Sequence, residues 1–405
     1  MTTIPSSPSS LGRRLVVCLD GTWNSTTNES EREDHSKVFR PTNTLKVCRA
    51  VLPDADRQQL VYYDVGVGSL AQYSGFANKL LHTADRFLGG AWGAGFEGNV
   101  EDALHFLMLN REPNDDVFLF GFSRGAATAR AVTRFLEWSG GLLPKKDAYY
   151  FPFFFRAYVE SHGDLDAKRK LLDEINERHA KTARPPIAFE PVRVSFLGVW
   201  DTVAALGSRF RSRGKETSEA GRTFHAGKAP ATCVVHARQA LAVDEKRFDF
   251  RPEVWTETRD NQKMQQRWFP GVHSNIGGGL KTDGLANIAL QWILDGAKEE
   301  GLKLDDTFLA HYEPHPEAEI YESWTTKFKM LETVLLRRGK GRRPISGANA
   351  DLHDSVIEKM RIDAKYRPDN AIEFLATQAN VAKYGAIPAD VQQEMAKVRA
   401  KRGAS

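Results

Sequence analysis

One ten-residue stretch limits the fold more than any other: Val117-Phe-Leu-Phe-Gly-Phe-Ser-Arg-Gly-Ala126. Its first four residues, Val117 to Phe120, are apolar and read as a short buried strand. Gly121-Phe122-Ser123-Arg124-Gly125 then fits G-x-S-x-G, and Ala126 to Trp138 reads as a helix closed by Gly140 and Gly141. A strand, a sharp turn with serine at its apex, and a helix form the setting of a nucleophile elbow. The flanking glycines let strand and helix approach closely, and the turn strains the serine backbone. The serine Oγ would stand at a helix N-terminus, where unpaired N–H groups and the helix dipole stabilise developing negative charge. Ser123 is therefore the expected nucleophile.

The rest of the chain supplies the sheet that such an elbow needs. Leu15 to Leu19 reads as a strand ending in the turn Asp20-Gly21-Thr22-Trp23-Asn24. A helix is expected over Asn43 to Leu52, stopped by Pro53, then a strand over Gln59 to Tyr63 and a helix over Asn99 to Leu109. After the elbow come a strand from Val192 to Trp200, a helix from Cys233 to Ala242, a short strand from Arg267 to Phe269 and a helix from Leu285 to Ala297. This alternation predicts an α/β fold of α/β-hydrolase type: a central, mostly parallel sheet with helices on both faces and an inserted cap. Residues 1–13 read as a disordered N-terminus and 14–300 as the catalytic domain, with the cap at about 144–190. Residues 301–405 read as a polar extension packed on it, carrying the basic run Arg337 to Arg343.

A serine hydroxyl needs a base, and the base needs a carboxylate to fix its tautomer. In α/β-hydrolases the chain order is Ser, then Asp or Glu, then His. Asp201 directly ends an apolar strand and is the expected acid, with Asp244 and Asp249 as fallbacks. His273, in a Pro-Gly-x-His-Ser loop after a short strand, is the expected base. His236 reads as a structural residue within a helix, and His353 as a surface residue. The oxyanion hole is expected from the backbone N–H groups of Arg124 and Gly21. Thr22 and Phe122 beside them, with Phe153 and Phe154 of the aromatic run 149–155, are expected against the substrate. That run lies beside Lys145, Lys146 and Arg156, a combination that suits the edge of a lipid bilayer. Gly93-Ala-Gly95-Phe-Glu-Gly98 matches G-x-G-x-x-G without a preceding strand and reads as a loop. Arg130 and Arg134, one helical turn apart, read as a solvated face.

Composition removes other classes. A net charge of +4, from 56 basic and 52 acidic residues, gives no case for nucleic acid. Three cysteines without a C-x-x-C pair argue against a disulfide scaffold or a zinc site, and no metal or organic cofactor is expected. The five-residue apolar run at Leu15 is too short for a signal-peptide core or a membrane span. The expected location is the cytoplasm, or outside it by a route that reads no cleavable signal.

Six stretches in order carry a family resemblance: Asp20-Gly-Thr-Trp-Asn24, Tyr62-Tyr-Asp-Val-Gly-Val-Gly68, Gly121-Phe-Ser-Arg-Gly-Ala126, Gly198-Val-Trp-Asp-Thr202, His236 to Glu245, and Phe269-Pro-Gly-Val-His-Ser274. Over roughly residues 14–300 the chain resembles the α/β-hydrolase domain, formerly of unknown function, that includes the catalytic domain of type VI secretion phospholipase effectors. A weaker match continues through His353-Asp-Ser355 and Tyr366-Arg-Pro368. The resemblance places the nucleophile on Ser123, the acid on Asp201 and the base on His273. It implies a serine esterase and, for the effector branch, phospholipase A-type activity on lipid. Asn275 departs from the family, which usually has Asp after His-Ser. If the chain is an exported effector, an immunity protein becomes a partner to look for. A cytosolic esterase of small or polyester substrates, and a binding protein with a vestigial triad, stand as the alternatives.

Overall fold

The computed structural model describes residues 12–21, 29–31, 37–54, 57–66, 92–203, 227–247, 250–323 and 341–403. Thr22 and Asp249 lie outside them, as does Arg337. Nine strands occur among the described residues: β1 (Arg14–Leu19), β2 (Glu29–Glu31), β3 (Lys37–Phe39), β4 (Gln59–Asp64), β5 (Asp116–Phe122), β6 (Val194–Trp200), β7 (Val234–Ala242), β8 (Lys263–Phe269) and β9 (Ala350–Leu352). Seven of them form one sheet in the order β4-β1-β5-β6-β7-β8-β9, with every neighbouring pair parallel. Parallel neighbours need long crossovers, and helices cover both faces.

Strand periodicity divides the core. On β1, Leu15, Val17 and Leu19 face one layer while Val16 and Cys18 face the other. The first layer is closed by α2 (Trp92–Asn110) and α3 (Arg124–Ser139), and the second by α1 (Asn43–Ala50) and α7 (Gly284–Glu299). Between them in sequence lie α4 (Phe151–Glu160), α5 (Leu165–Lys181) and the short α6 (His273–Gly277). After α7 come α8 (Asp306–Leu309), α9 (Asp354–Ile362), α10 (Asp369–Thr377) and α11 (Ala389–Gly403).

Five sequence expectations change. Val234 to Ala242 is a strand, not a helix. Its alanines favour helix locally, but the segment lies between β6 and β8, where both faces are covered and ladder partners decide. The G-x-G-x-x-G glycines lie inside the opening turns of α2 rather than in a loop. Arg130 is not solvated: it is buried, donates from Nη1 to the Glu253 carbonyl at 2.5 Å and stacks 4.9 Å from the Trp255 ring. The aromatic run is a 3-10 turn, Lys145–Tyr150, leading into α4. Phe151, Phe154, Phe155 and Tyr158 recur at helical spacing and are buried, leaving Phe153 and Tyr149 outside.

The fifth change concerns the C-terminal residues. They do more than pack on the residues before them. β9 pairs with β8 and extends the sheet. Val356, Ile357, Ile372, Leu375 and Val391 of α9 to α11 bury the sheet residues Leu241 and Trp268 in a third core. Among the described residues no helix is long and apolar enough to cross a membrane.

Candidate active site

The sheet order reverses at β1, which pairs with β4 on one side and β5 on the other. In open α/β sheets the carboxyl ends of the strands at such a switch point form the ligand crevice. Ser123 follows β5, Asp20 follows β1, Asp201 follows β6, and His273 lies four residues beyond Phe269, the last residue of β8. All four therefore gather at one edge.

Ser123 has φ 58° and ψ −116°, a region that costs about 1–3 kcal/mol for a non-glycine residue. Its surroundings hold it there. Its N–H donates to the Trp200 carbonyl at 3.0 Å. A Cβ on Gly121 would stand 2.4 Å from the Gly125 carbonyl oxygen, and one on Gly125 only 2.0 Å from that of Leu19. The glycines of the motif thus exist because α3 must start in contact with two strands.

Three side chains form a continuous hydrogen-bonded chain. His273 Nε2 lies 2.9 Å from Ser123 Oγ, and His273 Nδ1 lies 2.6 Å from Asp201 Oδ2. Ser123 is 8% exposed and His273 5%, and the imidazole is packed between the rings of Phe122 (4.7 Å) and Phe250 (4.9 Å). Burial pushes the imidazole pKa below its usual value, against the upward pull of Asp201. The neutral form, which can accept a proton at Nε2, is thereby favoured.

Asp201 is the most heavily partnered group in the site. Oδ1 accepts from the Ala242 N–H at 3.0 Å and from Arg343 Nη1 at 2.7 Å, and Oδ2 accepts from Arg343 Nη2 at 3.0 Å besides facing His273. Burial alone would raise this carboxyl pKa. The Arg343 charge and the His273 hydrogen bond overcome that and hold it well below the usual carboxylate range. Sequence reading missed Arg343. It placed the residue in the basic run of a polar extension, but the side chain is buried. The signal available was weak: Pro344, and the apolar Ile345 beyond it, break the basic run immediately after Arg343.

The other candidates fall elsewhere. Asp244 does not touch His273: its Oδ2 accepts from the Gly271 N–H at 2.6 Å and the Tyr366 O–H at 2.9 Å. His236 is on β7 and pairs with Glu300 at 3.1 Å. His353 is half-buried and stacks on Phe269 at 4.4 Å, so it is not a surface residue. Arg124 opens α3 directly after Ser123. The Gly21 N–H is donated to Asp20 Oδ1 at 2.7 Å, so that donor is engaged in this structure. Phe122 lines the imidazole, whereas Phe154 is fully buried against Phe189 and is a packing residue rather than a substrate contact. Asn275, where the resemblance leads one to expect Asp, accepts from the Val272 and Tyr321 N–H groups through Oδ1 at 3.2 and 3.1 Å.

The molecule is thus an α/β protein with a seven-stranded parallel sheet and a serine, histidine and aspartate hydrogen-bonded at its carboxyl edge. Its family is more specific. Residues 13–296 match the type VI secretion phospholipase effector Tle1-like catalytic domain, and the chain belongs to that family. It is 26% identical over 259 residues to an uncharacterized protein of Saccharomyces cerevisiae, YEL023C, a match covering 62% of this chain and 34% of the relative. The chain therefore spans about a third of that relative's length. Among solved structures, an uncharacterized protein from Pseudomonas aeruginosa aligns at TM-score 0.42 and 16% identity, over 97% of this chain and 62% of that one. The Tle1 effector, solved bound to the VgrG spike of the type 6 secretion system, aligns at TM-score 0.41 and 14% identity, over 81% and 80%.

Proposed function

We propose that the protein hydrolyses carboxylic esters of lipids, as a phospholipase A-type serine hydrolase working through an acyl-enzyme. The observation that carries this reading is the unbroken chain Ser123 Oγ to His273 to Asp201, with the serine on a strained elbow. Ser123 Oγ attacks the ester carbonyl carbon while His273 Nε2 takes its proton. The same proton passes to the departing alcohol oxygen, and a water then repeats the sequence to free the acid and restore Ser123. Asp201 keeps the Nδ1 proton in place and stabilises the imidazolium. The Arg124 N–H is the first oxyanion donor. Gly21 can be the second only if its bond to Asp20 opens on substrate binding.

The lipid substrate follows from family membership and from one surface. Tyr149 is 76% exposed and Phe153 50%, with the exposed Lys145, Lys146 and Arg156 around them. Rings beside cations suit a phosphate-bearing interface, making peripheral membrane contact part of this reading. Family membership also makes an export route and an immunity protein matters for the same proposal.

A fluorophosphonate probe followed by peptide mapping tests the chemistry, and digestion of phosphatidylcholine and phosphatidylethanolamine vesicles tests the substrate. The expected result is a label on Ser123 together with release of fatty acid and lysophospholipid. No label means a binding protein. A label with turnover of short soluble esters alone means a small-ester or polyester hydrolase.

A further inference from the structure

Arg343 lies 142 residues beyond Asp201 in sequence and reaches it on the extended segment before β9. The segment is fixed at both ends: the Gly341 N–H donates to the Lys246 carbonyl at 2.7 Å, and Asn370 Nδ2 of α10 donates to the Arg343 carbonyl at 2.9 Å. The guanidinium also donates to the carbonyls of Ala242 and Phe250. Nothing about this contact resembles a surface ion pair, because the Arg343 side chain is 3% exposed and that of Asp201 0%.

The charges nearest the imidazole balance. Asp201 faces it from the end of β6, and Glu245 accepts from the His273 N–H at 3.2 Å from the segment after β7. Arg247 pairs with Glu245 through two contacts, at 2.9 and 2.8 Å, and Arg343 pairs with Asp201. Ser123 faces the imidazole from the elbow and is neutral. Two carboxylates and two guanidiniums sum to zero while His273 is neutral. Without Arg343 the cluster would hold one net negative charge out of water, and a proton on His273 would cancel it.

We propose that Arg343 is a positioning residue: it pins the Asp201 carboxylate and offsets its charge, so that the Asp201–His273 pair sheds its proton at lower pH than an unopposed pair. The proposal rests on the serine-hydrolase reading for its effect on rate, but not for its effect on the histidine. The C-terminal residues are then part of the working centre, and the enzyme keeps its base free in mildly acidic surroundings.

Two readouts separate these claims. The pH dependence of Ser123 labelling by a soluble fluorophosphonate reports the base through the nucleophile. NMR titration of ¹⁵N-labelled histidine reports His273 whether or not Ser123 reacts. In the wild-type protein the acid limb and the His273 titration should both lie below the ordinary histidine value of about 6.5. Arg343→Met should move both upward by about one pH unit or more, since the offsetting charge is gone. Arg343→Lys should return them toward the wild-type position, at a lower labelling rate because one fork contact is lost. A folded Arg343→Met whose limb and titration do not move overturns the proposal. If that variant does not fold, Arg343→Gln, which keeps hydrogen-bond donors but removes the charge, takes its place with the same expected and overturning outcomes. Absence of Ser123 labelling in the wild type, with the histidine shifts present, would sink the serine-hydrolase reading and leave this one standing.

Discussion

Asp201, buried, and Asp244, partly buried, stand beyond the ends of adjacent strands, β6 and β7, and their environments push them in opposite directions. Burial raises the pKa of each. Asp244 accepts from a backbone N–H and the Tyr366 hydroxyl, which with the charges of Lys246 and Lys359 do not offset its burial, and its pKa rises to about 6. Asp201 meets a guanidinium and an imidazole, and falls. Position at a strand end therefore does not make a carboxylate an active-site acid. What distinguishes the two is the charged partner delivered to one of them from another part of the chain.

Ser123→Ala sets the scale, with an expected loss of about 10⁶ in kcat while the fold is kept. Asp201→Asn should cost about 10⁴, because the amide favours the wrong histidine tautomer. Asp244→Asn should cost less than about tenfold, since its partners are Gly271 and Tyr366 and not the imidazole. If the last two values came out reversed in steady-state ester hydrolysis, the acid would be Asp244.

Stability sharpens the contrast. An unfolded Asp titrates near 4, whereas folded Asp244 titrates at about 6. Between those values the folded state binds more protons, so the wild type loses stability as pH rises through that window. Asp244→Asn escapes this loss, and its stability relative to wild type should improve by up to about 3 kcal/mol between pH 3.5 and pH 8. Asp201 contributes in the other sense: its stabilisation is present above the unfolded value and disappears as pH falls through its lowered folded one. Urea unfolding of both Asn variants at the two pH values should give slopes of opposite sign, and slopes of one sign would refute the assigned environments.

The smallest effect expected is at Asn370. Its side chain donates to the carbonyls of Val243 and Arg343 and so joins the two strand-end regions. Asn370→Ala should cost about 1–2 kcal/mol of stability, at about 1 kcal/mol for each lost hydrogen bond, and lower kcat a few-fold. A variant with unchanged melting temperature and unchanged kcat would show that Arg343 needs no support from α10.

The legible parts of this molecule were the local ones. The elbow was readable because strand, turn and helix signals sit within twenty-two residues of each other, from Val117 to Trp138. Asp201 was readable as a candidate because it directly follows an apolar strand, and His273 because a short Pro-Gly loop carries it past the end of another. β7 was not, since His236-Ala-Arg-Gln-Ala-Leu-Ala242 has helical preference that only its two neighbouring strands override. Arg130 and Arg343 were misread for one reason: an arginine carries the same letter on a wet surface as inside a charge pair, and its partner is a tertiary fact. The aromatic run yielded half its meaning. Its composition suggested more than one role, but the helical period that separates Phe154 from Phe153 came from the fold.

Arg343 also places the site in time. A polypeptide is made from its N-terminus, and domains begin to form as they emerge, at roughly 5–20 residues per second. Ser123, Asp201 and His273 are all synthesised, and their strands can pair, before Arg343 exists. Until it arrives, Asp201 has no guanidinium and the interior holds an unmatched charge. On the proposed lipid-hydrolase reading, the nascent chain carries an electrostatically unfinished site until the third core is complete.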